Sequence, residues 1–246
     1  MHESIITLHP TGPLVAMVGN PNSGKTALFN LLTGSRQKVA NYAGVTVERK
    51  EGRLPLSEQK FLRVLDLPGV YSLYPRSPDE RVTCDVLAGK AKGEKKPDLI
   101  ICVLDATNLR RNLRLVLAVK RMGLPCVVAL NMMDMAKERG LKIDVAALSK
   151  ALDLPVIETI AIKGKGDTAL KEWLANNDWR QINVQHFNAE TNSATSGTDD
   201  IQQQDQIKVQ AILKELSLDQ ITPHLTSDKI DRIILNPLLG PVLLLF

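Results

Sequence analysis

Residues 19–26 read Gly-Asn-Pro-Asn-Ser-Gly-Lys-Thr, and they are the strongest indication of the fold class. It follows the apolar run 14–18 and precedes an amphipathic segment that begins at Lys25. A G-x-x-x-x-G-K-[ST] pattern between a strand and a helix is typical of a phosphate-binding loop, because its glycines let successive backbone N–H groups face phosphates. The nucleotide-binding residues predicted here are Gly19, Asn20, Pro21, Asn22, Ser23, Gly24, Lys25, Thr26 and Ala27.

Apolar runs alternate with amphipathic stretches along the chain, which is the pattern of a parallel sheet wrapped by helices. The predicted strands cover residues 14–18, 47–54, 61–65, 99–104, 126–130 and 156–159. Predicted helices follow Lys25, Pro78, Asn108, Asp144 and Asp167. On the helix after Asn108 we expect Arg110, Arg111 and Arg114 to form a solvated face. The sequence therefore predicts an α/β fold with a mostly parallel, six-stranded sheet.

Composition limits the functional classes. With 246 residues, 44% of them hydrophobic, the chain can bury a full core and hold one large domain or about one and a half ordinary ones. A net charge of +4 is too small to indicate a nucleic-acid partner. The three cysteines are odd in number and widely spaced, which indicates a reducing compartment rather than a disulfide framework.

Two further segments predict a magnesium site beside the phosphate loop. Asp66 follows the strand 61–65 and is able to hold Mg²⁺ together with the Thr26 hydroxyl, while the Gly69 N–H can meet the γ-phosphate. Thr46, in the segment Gly44-Val45-Thr46, is the second predicted Mg²⁺ ligand, although alone it would be an ordinary surface residue. Lys25 should reach the β- and γ-phosphates, so the predicted catalytic residues are Lys25, Thr46 and Gly69.

Base selection is assigned to residues 131–134, Asn-Met-Met-Asp, directly after a predicted strand. The Asp134 carboxylate can accept hydrogen bonds from guanine N1–H and the exocyclic amine, and adenine lacks both donors. Met132 stands where this motif usually has lysine and can supply an apolar contact with the base, beside Asn131. Taken alone, Asp134 could instead cap a helix. In its context, we predict that it selects GTP.

Two other positions bear on the base and on the reaction. Residues 159–164 occupy the place of a last nucleotide-binding loop, in which the Ala161 N–H is expected to meet guanine O6, although Ile160 stands where many such proteins have serine. Val70 follows Gly69 and cannot hydrogen-bond an attacking water as a glutamine there would. We therefore expect GTP hydrolysis with a slow intrinsic rate.

These elements, in this order over residues 14–176, resemble the Ras-like G domain. The sequences of several segments resemble the cytoplasmic part of the bacterial ferrous iron transport protein B family. These segments are residues 19–22, 41–48, 66–73, 105–113 and 129–134. The resemblance implies a helical domain after the G domain and then a membrane domain for Fe²⁺. It also implies a GTPase that regulates or drives iron uptake at the cytoplasmic face of the bacterial inner membrane.

The same resemblance implies cofactors and partners. Mg²⁺ is expected, and K⁺ could be held by Asn22 with backbone carbonyls near Tyr42 and Ala43. The expected partners are GTP and GDP, the membrane-embedded iron permease of the same protein, small accessory proteins and further copies of the chain, with no nucleic acid. A soluble GTPase acting in RNA or ribosome maturation is the alternative, since similar motifs occur there.

The expected domains are a G domain over 1–180, a helical domain over 181–230 and the start of a membrane segment over 231–246. Residues 185–206 are polar and are predicted to form a flexible stretch, with helical periodicity from Ile207. The terminal apolar run is shorter than the about 20 residues that span a bilayer, so a buried helix or strand is its alternative.

Overall fold

The computed structural model describes residues 12–34, 37–75, 77–176, 179 and 198–218. Its centre is a seven-stranded sheet in the order β2-β3-β4-β1-β5-β6-β7, in which β3 pairs antiparallel with both β2 and β4 and the remaining pairs are parallel. The strands are β1 Leu14–Gly19, β2 Gln37–Asn41, β3 Glu48–Pro55, β4 Phe61–Asp66, β5 Leu99–Asp105, β6 Cys126–Asn131 and β7 Val156–Glu158. The predicted α/β class with a mostly parallel sheet is confirmed.

The sheet has one strand more than predicted. Strand β2 reads Gln-Lys-Val-Ala-Asn and lies at the edge of the sheet, where four of its five residues are exposed. An exposed edge strand needs no buried apolar face, so its sequence lacks the alternation by which a half-buried strand is predicted.

Helices cover both faces of the sheet. They are α1 Lys25–Thr33, α2 Pro78–Ala88, α3 Leu109–Arg121, α4 Met133–Glu138, α5 Val145–Leu152, α6 Thr168–Asn176 and α7 Thr198–Glu215. Helices α1 and α6 pack on one face, and α2, α3, α5 and α7 contribute to the core on the other. Five helices begin where the sequence predicts, whereas the short α4 was not predicted.

The start of α1 differs from the starts of α2 and α5. The Ser77 side chain caps α2 by accepting from the Glu80 N–H at 3.2 Å, and Asp144 caps α5 by accepting from the Ala147 N–H at 2.9 Å. Gly24 precedes α1 with a φ of 79°, and it provides no side-chain cap. The first amides of α1 therefore lack the side-chain acceptor that a capped helix has, and an anion can take that place.

The prediction of a flexible stretch over residues 185–206 is wrong for residues 198–206, because they form the start of helix α7. The helix packs on α3 through buried Val209, Ile212 and Leu213. The Asp205 carboxylate also forms a two-pronged ion pair with Arg121 of α3, with one N–O distance of 2.7 Å. Nothing in a polar segment distinguishes Asp205, which forms this ion pair, from its neighbours. The sequence prediction therefore placed the start of the helix too late.

Residues 185–197, and the predicted membrane segment at 231–246, lie outside the described residues. None of the helices given above combines the length and the apolar character that crossing a bilayer requires.

Candidate nucleotide site

The phosphate loop connects β1 to α1 at the carboxyl edge of the sheet. Asn22 and Gly24 both have positive φ, at 67° and 79°, and the Ser23 N–H donates to the Asn20 carbonyl at 3.2 Å. Turns of this kind arrange successive N–H groups as an anion-binding concavity. A Cβ at Gly19 would lie 2.7 Å from the Val103 carbonyl oxygen, so side chains are excluded where the loop begins.

Lys25, Thr26 and Asp66 meet beside this loop. Lys25 is 7% exposed, and its Nζ forms an ion pair with Asp66 Oδ1. The other carboxylate oxygen accepts from the Thr26 hydroxyl at 3.2 Å. Asp66 ends β4, which pairs in parallel with β1, and this pairing brings the carboxylate to the loop. A carboxylate next to a hydroxyl supplies the hard oxygen donors that Mg²⁺ prefers, so these residues fit the predicted ion.

The loop that carries Thr46 is closed by backbone hydrogen bonds at Tyr42, which accepts from the Val45 N–H at 3.2 Å. The Tyr42 N–H donates to the Val47 carbonyl at 3.0 Å, and both of these side chains are buried. Burial raises the pKa of the Tyr42 hydroxyl far above its usual value, and the nearby Glu94 carboxylate adds to this. Between these ends, Gly44 and Thr46 are exposed. Thr46 takes no part in the contacts of Lys25, Thr26 and Asp66, so its ligation of Mg²⁺ stays a prediction.

Gly69 lies directly against the phosphate loop. A Cβ added to Gly69 would lie 3.2 Å from the Pro21 nitrogen, and the next N–H, that of Val70, donates to the Gly19 carbonyl at 3.1 Å. From the other side, the Thr83 hydroxyl of α2 donates to the Pro68 carbonyl at 3.1 Å. Gly69 therefore lies next to the phosphate loop, while the contact of its N–H with the γ-phosphate stays a prediction; the Val70 side chain is buried and apolar.

Asn131 ties the segment 131–134, for which base recognition is predicted and which is called the base-reading loop below, to the phosphate loop. Its side chain, only 1% exposed, donates from Nδ2 to the Ser23 carbonyl at 3.0 Å. Its Oδ1 accepts from the Ala161 N–H at 3.0 Å. A Cβ on Gly24 would overlap Asn131 Nδ2, so glycine is required at this close approach. One buried amide thus joins three loops that are far apart in sequence.

The Ala161 N–H is hydrogen-bonded within the protein in this structure. It donates to Asn131 rather than facing outward, and Ala161 is 9% exposed. The Ile160 N–H bonds to the Gly166 carbonyl at 2.9 Å and closes the loop. Asn131 and Ala161 are therefore neighbours, as expected for one site, but the contact between Ala161 and guanine O6 stays a prediction.

Asp134 lies in the first turn of α4, next to Met132, whose Cε would be 3.3 Å from a Cβ on Gly24. The Lys163 Nζ lies 3.3 Å from Asp134 Oδ2. Burial alone would raise the pKa of Asp134, but the Met135 N–H and the Lys163 ammonium outweigh it, so this pKa lies below its usual range. Asp134 is thus a charged acceptor at neutral pH.

Lys163 was not among the predicted site residues. One signal in the sequence could have pointed to it. The segment Asn-Met-Met-Asp lacks the usual lysine at its second position, and Lys163 is a lysine in the last loop. Sequence spacing alone does not reveal that Lys163 and Asp134 form an ion pair.

The P-loop, the Thr26–Asp66 pair and the Asn-x-x-Asp loop converge on one edge of the sheet. Together with the strand order, they define a Ras-like P-loop G domain, the class that binds guanine nucleotides. The sequence profile of the family described as ferrous iron transport protein B matches residues 14–174. The chain belongs to this family, as its motifs predict.

Individual relatives agree with this family. The chain is 49% identical over 162 residues to the Fe(2+) transporter FeoB of Escherichia coli K12, a match that covers 64% of this chain and 20% of that protein. It is 40% identical to the cytosolic domain of T. maritima FeoB in a GDP form, with a TM-score of 0.64 over 70% of this chain and 65% of that one. A GDP-bound mutant of the S. thermophilus FeoB G-domain is 44% identical, with a TM-score of 0.58 over 65% of this chain and 59% of that one.

Proposed function

We propose that this chain binds GTP and GDP with Mg²⁺ and hydrolyses GTP to GDP and phosphate. The proposal is carried by Asn131, whose amide holds the base-reading loop against Ser23 of the phosphate loop. A guanine nucleotide in this site would place its phosphates at Lys25 and its base at Asp134. Solved relatives from T. maritima and S. thermophilus, described as GDP-bound, support this assignment.

In the proposed reaction, Thr26 and Asp66 would hold Mg²⁺, and Thr46 would be its further ligand in the GTP-bound protein. The ion would offset the phosphate charge, while Lys25 and the Gly69 N–H stabilise charge that develops on the γ-phosphoryl oxygens. The Val70 side chain has no group that orients an attacking water, so the intrinsic rate is slow. We assign a potassium site to Asn22 and the carbonyls near Tyr42 and Ala43, because a monovalent cation there would act as an arginine finger does.

We further propose that the chain is the cytoplasmic part of a transporter that moves Fe²⁺ across the bacterial inner membrane. The chain spans about one fifth of the length of the curated relatives that it matches. The G domain would cover residues 1–180, followed by a helical domain over 181–230 and the start of a membrane segment over 231–246. The packing of α7 on α3 supports a helical unit that follows the G domain.

The partners of this domain would be the membrane-embedded permease of the same protein, small accessory proteins and further copies of the chain. The alternative, a soluble GTPase acting in RNA or ribosome maturation, is not favoured by the family match, which covers residues 14–174.

The proposal is tested by titrating the chain with GTP, GDP and ATP in the presence of Mg²⁺, and by following phosphate release in K⁺ and in Na⁺. We expect GTP and GDP to bind, ATP to bind far more weakly, and phosphate release to be slow but faster in K⁺. Equal affinity for ATP would contradict the role of Asp134. Equal turnover in K⁺ and in Na⁺ would contradict the proposed potassium site. Absence of phosphate release in both salts would refute the enzymatic function.

A further inference from the structure

We propose that Arg111 is a positioning residue for GTP hydrolysis, which it serves by holding Tyr71 in place. The Arg111 guanidinium carbon lies 4.1 Å from the centre of the Tyr71 ring, within the range of a cation–π contact. Tyr71 follows Gly69 by two residues, so this contact restrains the segment whose N–H is proposed to meet the γ-phosphate. The inference rests on the hydrolysis proposed above and names a residue on which its rate depends.

Arg111 also touches the phosphate loop through its backbone. The Asn20 Nδ2 donates a long hydrogen bond, 3.4 Å, to the Arg111 carbonyl. Asn20 is 3% exposed, and its Oδ1 is buried without a hydrogen-bond partner among the described residues. The first turn of α3 therefore contacts the phosphate loop with the main chain of Arg111 and the segment after Gly69 with its side chain.

The position of the segment around Gly69 is set by contacts of this kind on either side of it. Before Gly69, the chain is held by the bond from Thr83 to the Pro68 carbonyl, and after it by the Val70 N–H on Gly19. After Val70 the chain turns outward at Tyr71, which is 41% exposed, and returns to the core at Leu73. The Arg111 contact is therefore an attachment at the point where the segment turns outward. A donor accelerates a reaction only if it is already in place when charge develops, so loosening this attachment should slow hydrolysis.

The neighbouring arginines allow a matched comparison. Arg110 and Arg114 are also exposed on α3, as a solvated face predicts, but neither lies over the Tyr71 ring. If all three arginines were only solvated, replacing any one of them by alanine would have the same small effect. If Arg111 positions Tyr71, only its replacement should change the hydrolysis rate. Alanine favours helix, so neither substitution should disturb α3 itself.

The test measures single-turnover GTP hydrolysis, GDP affinity and the melting temperature of the full chain. Arg111→Ala should hydrolyse GTP about 2- to 5-fold more slowly, the range expected for an exposed cation–π contact. Its GDP affinity should be unchanged, because Gly69 is proposed to meet only the γ-phosphate. Arg111→Lys keeps a cation and should recover part of the rate, while Arg114→Ala should match the wild type. Tyr71→Leu should be as slow as Arg111→Ala, and the double variant no slower than either.

Several results would overturn this inference. One is a wild-type rate in Arg111→Ala while the wild type itself hydrolyses GTP; this leaves the proposed function standing. Another is a parallel loss of GDP affinity and melting temperature, which would indicate a purely structural role. Additive effects in the double variant would show that the two residues act separately. If the wild type releases no phosphate, the proposed hydrolysis fails and the role of Arg111 fails with it.

Discussion

The two ends of the nucleotide site are held in different ways. At the base end, Asn131 is buried and hydrogen-bonded on both sides, to Ser23 and to Ala161. At the end proposed to meet the γ-phosphate, Thr46 and its neighbour Val45 are exposed in a loop attached at Tyr42 and Val47. The base end is thus organised before a ligand arrives, whereas the other end has few contacts to lose when it moves.

This difference suggests that one end of the site binds both nucleotides and that the other end responds to the γ-phosphate. Ordering a loop costs conformational free energy, which must come from contacts made with the ligand. If the base and the β-phosphate bind to preformed groups, the γ-phosphate can be the ligand that orders the Thr46 loop. GDP and GTP would then bind to the same pocket and differ in the state of one loop.

The largest effect is expected for Lys25→Ala, which tests the part common to both nucleotides. The substitution removes the ammonium proposed to meet the β- and γ-phosphates, and it leaves the buried Asp66 carboxylate without its ion pair. We expect no measurable binding of GDP or GTP by titration calorimetry.

Lys60→Ala is the matched control for this variant. Lys60 is exposed and directly precedes β4, whose other end carries Asp66. It should bind nucleotide as the wild type does. Retained affinity in a folded Lys25→Ala protein would show that the phosphate end does not work as proposed.

Asp134→Ala tests the preformed base end. Removing this acceptor should weaken GDP and GTP binding by about 1.5 to 3 kcal/mol, the size of a hydrogen bond to a charged group, or about 10- to 150-fold. ATP offers neither guanine donor, so its weak binding should change far less. Competition of each nucleotide against a fluorescent GDP analogue measures the three affinities.

Lys163→Ala separates the carboxylate from its ion-pair partner. Lys163 is largely exposed, so its pair with Asp134 contributes little, and we expect a change in GDP affinity below about 5-fold, toward tighter binding. Tighter binding is expected because guanine no longer competes with the ammonium for Asp134 Oδ2. Equal losses in Lys163→Ala and Asp134→Ala would mean that the loop is disrupted, rather than that one acceptor is lost.

The sequence predicts where the phosphate loop, Asp66 and Asn131 lie in the fold, because each comes at the end of an apolar strand. A strand end fixes position, so Asp66 and Asn131 could be placed at one edge from the order of the strands alone. The contacts of Asn131 with Ser23 and of Lys163 with Asp134 depend on loop conformation, which no spacing rule supplies. Arg111 illustrates the same limit, since helical periodicity predicts its exposure but not the Tyr71 ring beneath it.

Of the four substitutions Lys25→Ala, Asp134→Ala, Lys163→Ala and Thr46→Ala, the last is expected to change GDP affinity least, and it tests the exposed loop. Thr46 is exposed and stands apart from the Lys25–Asp66 cluster, so its loss should leave GDP affinity within a factor of about 2. Phosphate release from GTP should slow by at least about 10-fold, the effect of roughly 1.5 kcal/mol from one lost charge-assisted contact. Affinity and single-turnover release are measured on the same preparation. Weaker GDP binding would show that the Thr46 loop is already part of the GDP site, and an unchanged rate would show that Thr46 is not the residue that responds to the γ-phosphate.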